Sequence, residues 1–252
     1  MNIQLIRNAT LKIEYAGKTI LVDPMLSPRG SFESFAGIEH NPIVDLPMEV
    51  EEILNGVEMV LVTHTHEDHF DEGAKKLLPS DIKLFCQPPD REKIKDFGFE
   101  NVEVIEYAFH WEGIKIIRTG GKHGSGEILK HMGHVSGFIL KSEGEPTIYI
   151  IGDSLLVNEV EENLAEYQPE VVVTNSGSAY IPGFETTPIL MGIPETIKVC
   201  KMLPESAVVA VHMEALDHCT LTRDALRSRA NYENIKQERL LIPGDGEVLI
   251  FG

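Results

Sequence analysis

The chain has 252 residues, 42% of them hydrophobic, and a formal net charge of −18. That length and apolar content can bury a substantial core, while the acidic balance and the lack of any long Lys/Arg run exclude nucleic acid as a general partner. The opening "MNIQLIRNATLKIEYAG" lacks the pattern of an export signal, no stretch reaches the roughly 18 apolar residues of a membrane helix, and Cys86, Cys200 and Cys219 imply no disulfide framework, so a cytoplasmic protein with no membrane partner is expected.

"IQLIRN", "TLKIEYAG" and "KTILVD" read as strands, with Gly17 at the turn between the last two. "MEVEEILNG" predicts a short helix stopped by Gly56, and "EMVLVTH" a strand buried on both faces. A helix over "DEGAKKLLP" with Asp71 as N-cap, a strand "IKLFCQ" and a helix "DREKIKDFG" between Asp90 and Gly98 follow. The centre returns to strands, "VEVIEY", "GIKIIRTGG", "SGFILKSEG" and "TIYIIGD". Then come a helix "SLLVNEVEENLAEYQP", a strand "EVVVTNSG", a helix "PETIKVCKMLP" with Pro194 in its first turn, a strand "AVVAVHME", a helix "TRDALRSRANYE" and a last strand "GEVLIFG". No linker or repeat divides the chain, so one domain over 1–252 is expected. The order of strands, then strands mixed with helices, occurs twice; two sheets packed face to face with helices outside, an α/β fold of αββα four-layer sandwich type, satisfies it.

The chemistry concentrates in "LVTHTHEDHFDEG", where His64, His66, Asp68 and His69 form H-x-H-x-D-H at the end of the buried strand. In an extended segment alternate residues share a side, so His64 and His66 can reach one ion while the following turn directs Asp68 and His69 toward a second. Three further strand ends offer ligands: His123 in "RTGGKHGSG", Asp153 in "IIGDS", whose two oxygens suit a bridge, and His212 in "AVVAVHME". Spacing alone does not choose among His123, His131 and His134 in the central loop. His40 and His110 have no ligand partners nearby in sequence and read as structural or exposed. "TGGKHGSG" lacks the phosphate-binding G-x-x-x-x-G-K-[ST] spacing.

From "ILVDP" through "THTHEDH", "TGGKHGSGEILKHMGHVSGFIL", "YIIGDS" and "VTNSGSA" to "VHMEALDHC", the chain resembles the metallo-β-lactamase superfamily, in its branch of stand-alone metal-dependent hydrolases that includes the ascorbate-6-phosphate lactonase-like proteins. The resemblance implies the metallo-β-lactamase fold, with His64, His66 and His123 on one metal, Asp68, His69 and His212 on the other, and Asp153 between them. It also implies that Asp23 of "LVDP" accepts a hydrogen bond beside the metal centre. Glu67 falls at a variable, solvent-facing position. His134 is a candidate substrate contact, His218 and Cys219 line the site or are satisfied in their loop, and Tyr180 either packs in its loop or reaches a substrate oxyanion.

Two divalent ions about 3.5–4 Å apart would present a bridging hydroxide to carbon or phosphorus, with Asp68 orienting it and accepting its proton. A thiolate-free set suits zinc first, with manganese, iron and nickel as alternatives. The expected activity is hydrolysis of a small anionic or cyclic ester, a lactone or a phosphodiester. An iron-dependent oxidoreductase of the same fold is disfavoured by His66, where flavodiiron members carry glutamate, and a non-catalytic metal-binding or sensory protein by the complete ligand set. The small-molecule substrate is the expected partner, self-association as a homo-oligomer is left open, and "SPRGSFESFAGIEHNPIVDLP" (27–47) is expected to cover the substrate as a lid.

Overall fold

The computed structural model describes residues 1–251. The meander predicted at the start is present as β1 (Asn2–Arg7), β2 (Thr10–Tyr15) and β3 (Lys18–Val22), antiparallel and turning at Ala16 and Gly17, both at positive φ. The chain then crosses through α1 (Val50–Leu54) to β4 (Met59–Val62), through α2 (Glu72–Leu77) to β5 (Lys83–Cys86), and through α3 (Arg91–Asp96) to β6 (Val102–Val104). These crossovers make β3, β4, β5 and β6 parallel.

The second half repeats the plan. β7 (Ala108–Trp111), β8 (Ile114–Thr119), β9 (Gly137–Lys141) and β10 (Ile148–Ile150) are antiparallel, with α4 (Leu129–Met132) in the loop before β9. Crossovers through α5 (Asn158–Tyr167), α6 (Ile193–Met202) and α7 (Arg223–Tyr232) add parallel β11 (Val171–Asn175), β12 (Ala207–Val211) and β13 (Leu240–Leu241). Finally β14 (Val248–Ile250) crosses back to pair with β1. The sheet orders are β14-β1-β2-β3-β4-β5-β6 and β13-β12-β11-β10-β9-β8-β7.

One apolar cluster joins the two inner faces, Ile13, Leu61 and Phe85 of the first sheet with Ile116, Phe138 and Val209 of the second. The outer faces carry the helices: Val60 and Leu84 meet Ile53, Ala74 and Ile94 on one side, and Tyr149 and Val208 meet Leu164, Ile197 and Leu226 on the other. This is the αββα sandwich of the sequence analysis. Tyr15 crosses the sandwich, its hydroxyl donating to the carbonyls of Leu140 (3.1 Å) and Pro146 (3.0 Å).

Three local expectations change. Asp71 caps α2 as predicted, accepting from Ala74 N at 2.8 Å, but Asp90 does not cap α3, because its carboxylate accepts instead from Thr65 Oγ1 (3.0 Å) and Gln87 Nε2 (2.8 Å). The helix expected from Ser154 begins only at Asn158, because Ser154 and Leu155 hydrogen-bond to the backbone of Lys122 (both 2.9 Å) and so hold the loop that presents His123. "AFHW" is a strand, β7, which its partly exposed side chains concealed; hairpin pairing with β8 through Glu112–Gly113 stabilises it, and His110 lies on it, exposed.

Candidate metal centre and substrate cavity

Every ligand candidate follows the C-terminal end of a strand. Asp23 follows β3, His64 to His69 follow β4, His123 follows β8, Asp153 follows β10 and His212 follows β12. The two sheets bring these ends to one rim of the sandwich. Asp23 and His212 both have positive φ (44° and 62°), a backbone uncommon outside glycine that concentrates at functional sites. A turn with the amides of His69 and Phe70 donating to His66 O (3.0 and 2.9 Å) reverses the chain after His66 and aims His69 inward.

The side chains gather into two groups, His64 with His66 and His123, and Asp68 with His69, Asp153 and His212, with the ligand atoms of each group within 4.8 Å of one another. Asp153 Oδ2 stands between the groups, 3.1 Å from His69 Nε2, 3.7 Å from His212 Nε2, 3.4 Å from His123 Nε2 and 4.0 Å from His64 Nε2. Its other oxygen accepts from Asn175 Nδ2 at 2.6 Å.

Contacts behind the rings fix their tautomers. His123 Nδ1 donates to Ile189 O at 2.8 Å and His69 Nδ1 donates to Asp23 Oδ2 at 2.8 Å, so each ring turns Nε2 toward the cluster as the atom that would bind an ion once unprotonated. Asp23 is held in turn by Thr63, through its amide and its hydroxyl, both 2.7 Å away. His212 Nδ1 lies 3.5 Å from Cys219 Sγ.

This donor set fits a cation. With Nδ1 donating to Asp23, a neutral His69 would set its Nε2 lone pair against Asp153 Oδ2 at 3.1 Å, while His212 Nε2 lies 3.2 Å from His69 Nε2 and 3.1 Å from a further buried carboxylate, Asp68. Either protons or a metal must neutralise the group. In the absence of a metal, burial opposes protonation but Asp153, Asp68 and Asp23 outweigh it and push His69 up to about 10; His212 is likewise raised well above its ordinary value, burial being outweighed chiefly by Asp153. The other group is different. Burial is the main cause that lowers His64 and His123 and brings His66 down to about 4, so these three rings are neutral at physiological pH and could offer lone pairs to an ion.

Beside the two groups lies a cavity of about 170 Å³. His66, Asp68 and His123 form its polar side, and Phe35, Met132, Ile181, Ile189 and His218 its walls, with exposed Glu67 at the mouth. Neither Lys nor Arg lines it. Phe35 arrives on the 27–47 segment, whose base is tied down by buried Arg7 donating to the carbonyls of Met25, Ser27 and Val44, and packs edge-on against His218 with centroids 4.9 Å apart. The segment thus contributes Phe35 to the cavity wall. Asp217 fastens it, accepting from Ser34 Oγ, from Asn41 Nδ2 (2.9 Å) and from the amides of Phe35, Ala36, Ile38 and Glu39 (3.0–3.4 Å).

Two candidates fall elsewhere. His134 is exposed and lines a separate surface cleft with Arg118 and Lys122, because α4 and Gly133, at φ 69°, carry it away from the cavity. Tyr180 does not line the cavity; its neighbour Ile181 does, while the Tyr180 amide donates to His218 O at 3.4 Å. His131 is exposed beside Phe184. The apolar walls and the Asp217 hub were not anticipated, since isolated Phe35, Met132 and Ile189 carry no motif.

The β-lactamase superfamily domain matches residues 18–213, a span holding all seven candidate ligands in the order and positions just described. The chain belongs to this superfamily. It is 38% identical to the UPF0173 protein YddR of Bacillus subtilis (strain 168) over the full length of both. Among solved structures it is similar to the isothiocyanate hydrolase from Delia radicum gut bacteria (39% identity, TM-score 0.92, covering 100% of this chain and 99% of that one). A possible metal-dependent hydrolase from Veillonella parvula DSM 2008 is similar at 33% identity and TM-score 0.95, covering 99% and 98%. With relatives and solved structures of this kind named as hydrolases, the chain is a metal-dependent hydrolase of the metallo-β-lactamase fold. Among the described residues no helix is long and apolar enough to cross a membrane.

Proposed function

We propose that the two groups hold two divalent ions, zinc in the first place, and that the chain hydrolyses small neutral electrophiles, with isothiocyanates the leading substrate class. The observation that carries this reading is the cavity: it is small, apolar-walled, free of Lys and Arg, and open to ligands of both groups. An anionic ester or phosphodiester, one form of the sequence expectation, would meet Glu67 and Asp68 with no cation among the lining side chains. A neutral substituent gains from burial against Phe35, Met132 and Ile189. Full-length similarity to an isothiocyanate hydrolase supports the class. A small lactone, also neutral, fits the same walls and is the second reading.

Divalent ions supply Lewis acidity here, lowering the pKa of water and polarising the bond under attack. The chain does the rest. Asp23, Ile189 O and Cys219 orient His69, His123 and His212, and Asn175 orients Asp153. Asp68, between His212 and the cavity, takes a proton from the attacking water and returns it to the substrate nitrogen. Addition of one water to the central carbon of R–N=C=S gives a thiocarbamic acid, which splits into the amine and carbonyl sulfide. Phe35 and the apolar walls hold R and exclude further water. Three unpaired cysteines, two of them buried, support a cytoplasmic setting.

The test is benzylamine release from benzyl isothiocyanate by zinc-loaded protein, beside hydrolysis of a γ-lactone. Amine release that is abolished by chelator and restored by zinc is expected. Turnover of the lactone alone would overturn the isothiocyanate reading in favour of the second.

A further inference from the structure

The cavity contains one polar side chain that belongs to neither candidate metal group and is not at the mouth, His218. Its side chain is buried, its Nδ1 is sealed from solvent with no acceptor or donor beside it, and its Nε2 makes no hydrogen bond within the protein and is the nitrogen left to face the cavity. A buried polar side chain left unpaired is costly, and in native folds it calls for a reason. His218 is also held firmly. Phe35 packs against its ring at an interplanar angle of 86°, the Tyr180 amide binds its carbonyl, Asp217 before it is the hub of the covering segment, and Cys219 after it contacts His212. Its centroid lies 6.4 Å from that of His212, so a substrate placed over the clusters comes within its reach.

We propose that His218 is a catalytic residue that donates a hydrogen bond to the substrate heteroatom on which negative charge develops as water adds, the sulfur or nitrogen of an isothiocyanate. An imidazole carries at least one N–H in either charge state, so the donor does not depend on protonation of the ring. His218 keeps its proton throughout: the water oxygen bonds to carbon, the C=N π pair moves to nitrogen, and nitrogen receives the proton that Asp68 took from the water. A donor fixed in advance on a water-poor wall stabilises developing charge more than it stabilises the bound substrate. The inference rests on the hydrolase reading above and adds the chemistry of the contact, which requires an acceptor atom beside the electrophilic carbon.

Two arms test it on the zinc-loaded chain. In the first, thiobenzamide, a neutral thiocarbonyl probe, is added while the imidazole ¹⁵N resonances are followed, the His218 signal being assigned by its loss in His218→Phe. The His218 signal should move on saturation; movement of other histidines only, or of none, overturns the proposal. In the second, His218→Phe keeps the ring contact with Phe35 but removes both nitrogens, and His218→Gln restores a donor. For benzyl isothiocyanate the Phe variant should lose about 100-fold in kcat with KM changed less than about three-fold, and the Gln variant should recover about ten-fold. An unchanged kcat in the Phe variant would overturn the assignment. If the wild type releases no amine, the substrate reading fails, and the resonance arm decides the His218 contact by itself.

Discussion

Removing the Asp217 carboxylate should loosen the segment that roofs the cavity. Six donors from Ser34 to Asn41 converge on it, yet two carboxylate oxygens offer only about four lone pairs, so they count as roughly four bonds. The group is partly exposed, and solvent screening brings each bond nearer ~0.5 than the ~1.5–3 kcal/mol of a buried charged one, or about 2 kcal/mol in all. In Asp217→Ala the opening equilibrium of the segment should therefore rise roughly 30-fold. Trypsin cleavage at exposed Arg29 reads opening directly, and KM for benzyl isothiocyanate should rise as Phe35 leaves the wall. Although burial alone would raise the Asp217 carboxyl, Ser34, Asn41 and the amides of Ile38 and Ala36 outweigh it and hold it well below the ordinary 3.8. A depressed carboxyl contributes fully above its unfolded value, so the wild-type segment should stay closed from neutral pH down to about pH 4 and loosen only below it. Cleavage at Arg29 within two-fold of wild type at pH 7, with unchanged KM, would mean that Asp217 does not hold the segment closed.

Other perturbations act on the cluster itself. Asp23→Ala frees the His69 tautomer and should weaken metal retention by about 10–100-fold in chelator competition, with little change in far-UV circular dichroism. In Gly177→Ala the new Cβ would stand 2.3 Å from His212 O and 2.8 Å from Cys219 Sγ; the displaced β12 loop should cost about 1–3 kcal/mol in urea unfolding and reduce metal retention. His69, raised to about 10, and His212 carry protons in metal-free protein at pH 7 and must release them to bind an ion. Metal affinity should therefore climb as pH rises, and calorimetry in buffers of different ionisation enthalpy should find net proton release.

Much of this site was legible because it is encoded locally. H-x-H-x-D-H after an all-apolar strand, and single Asp or His residues after three other strands, are signals that survive without knowledge of packing, and the sheets need only bring strand ends together. His134 misled for the same reason: it lies in the His123 loop, and sequence distance does not reveal that a helical turn and Gly133 carry it to another surface. The cavity walls were hidden because Phe35, Met132, Ile181 and Ile189 come from three separate loops and look like ordinary core residues. Asp217 carries no signal in "EALDHC", since its partners lie more than 170 residues away in sequence. β7 and the shortened α5 show tertiary pairing overriding pattern: a half-exposed hairpin lacks the apolar run of a buried strand, and Ser154 and Leu155 are drawn into the His123 loop.

Plasma mass spectrometry of the purified chain, beside its His123→Ala and His134→Ala variants, counts the ions that the seven proposed ligands hold. About two zinc or similar divalent ions per wild-type chain are expected, with full retention in the His134 variant and loss of about one in the His123 variant. No bound metal in the wild type, or equal loss from both variants, would contradict a two-ion centre built from these ligands; a chain loaded with iron alone would turn attention to the oxidoreductase alternative.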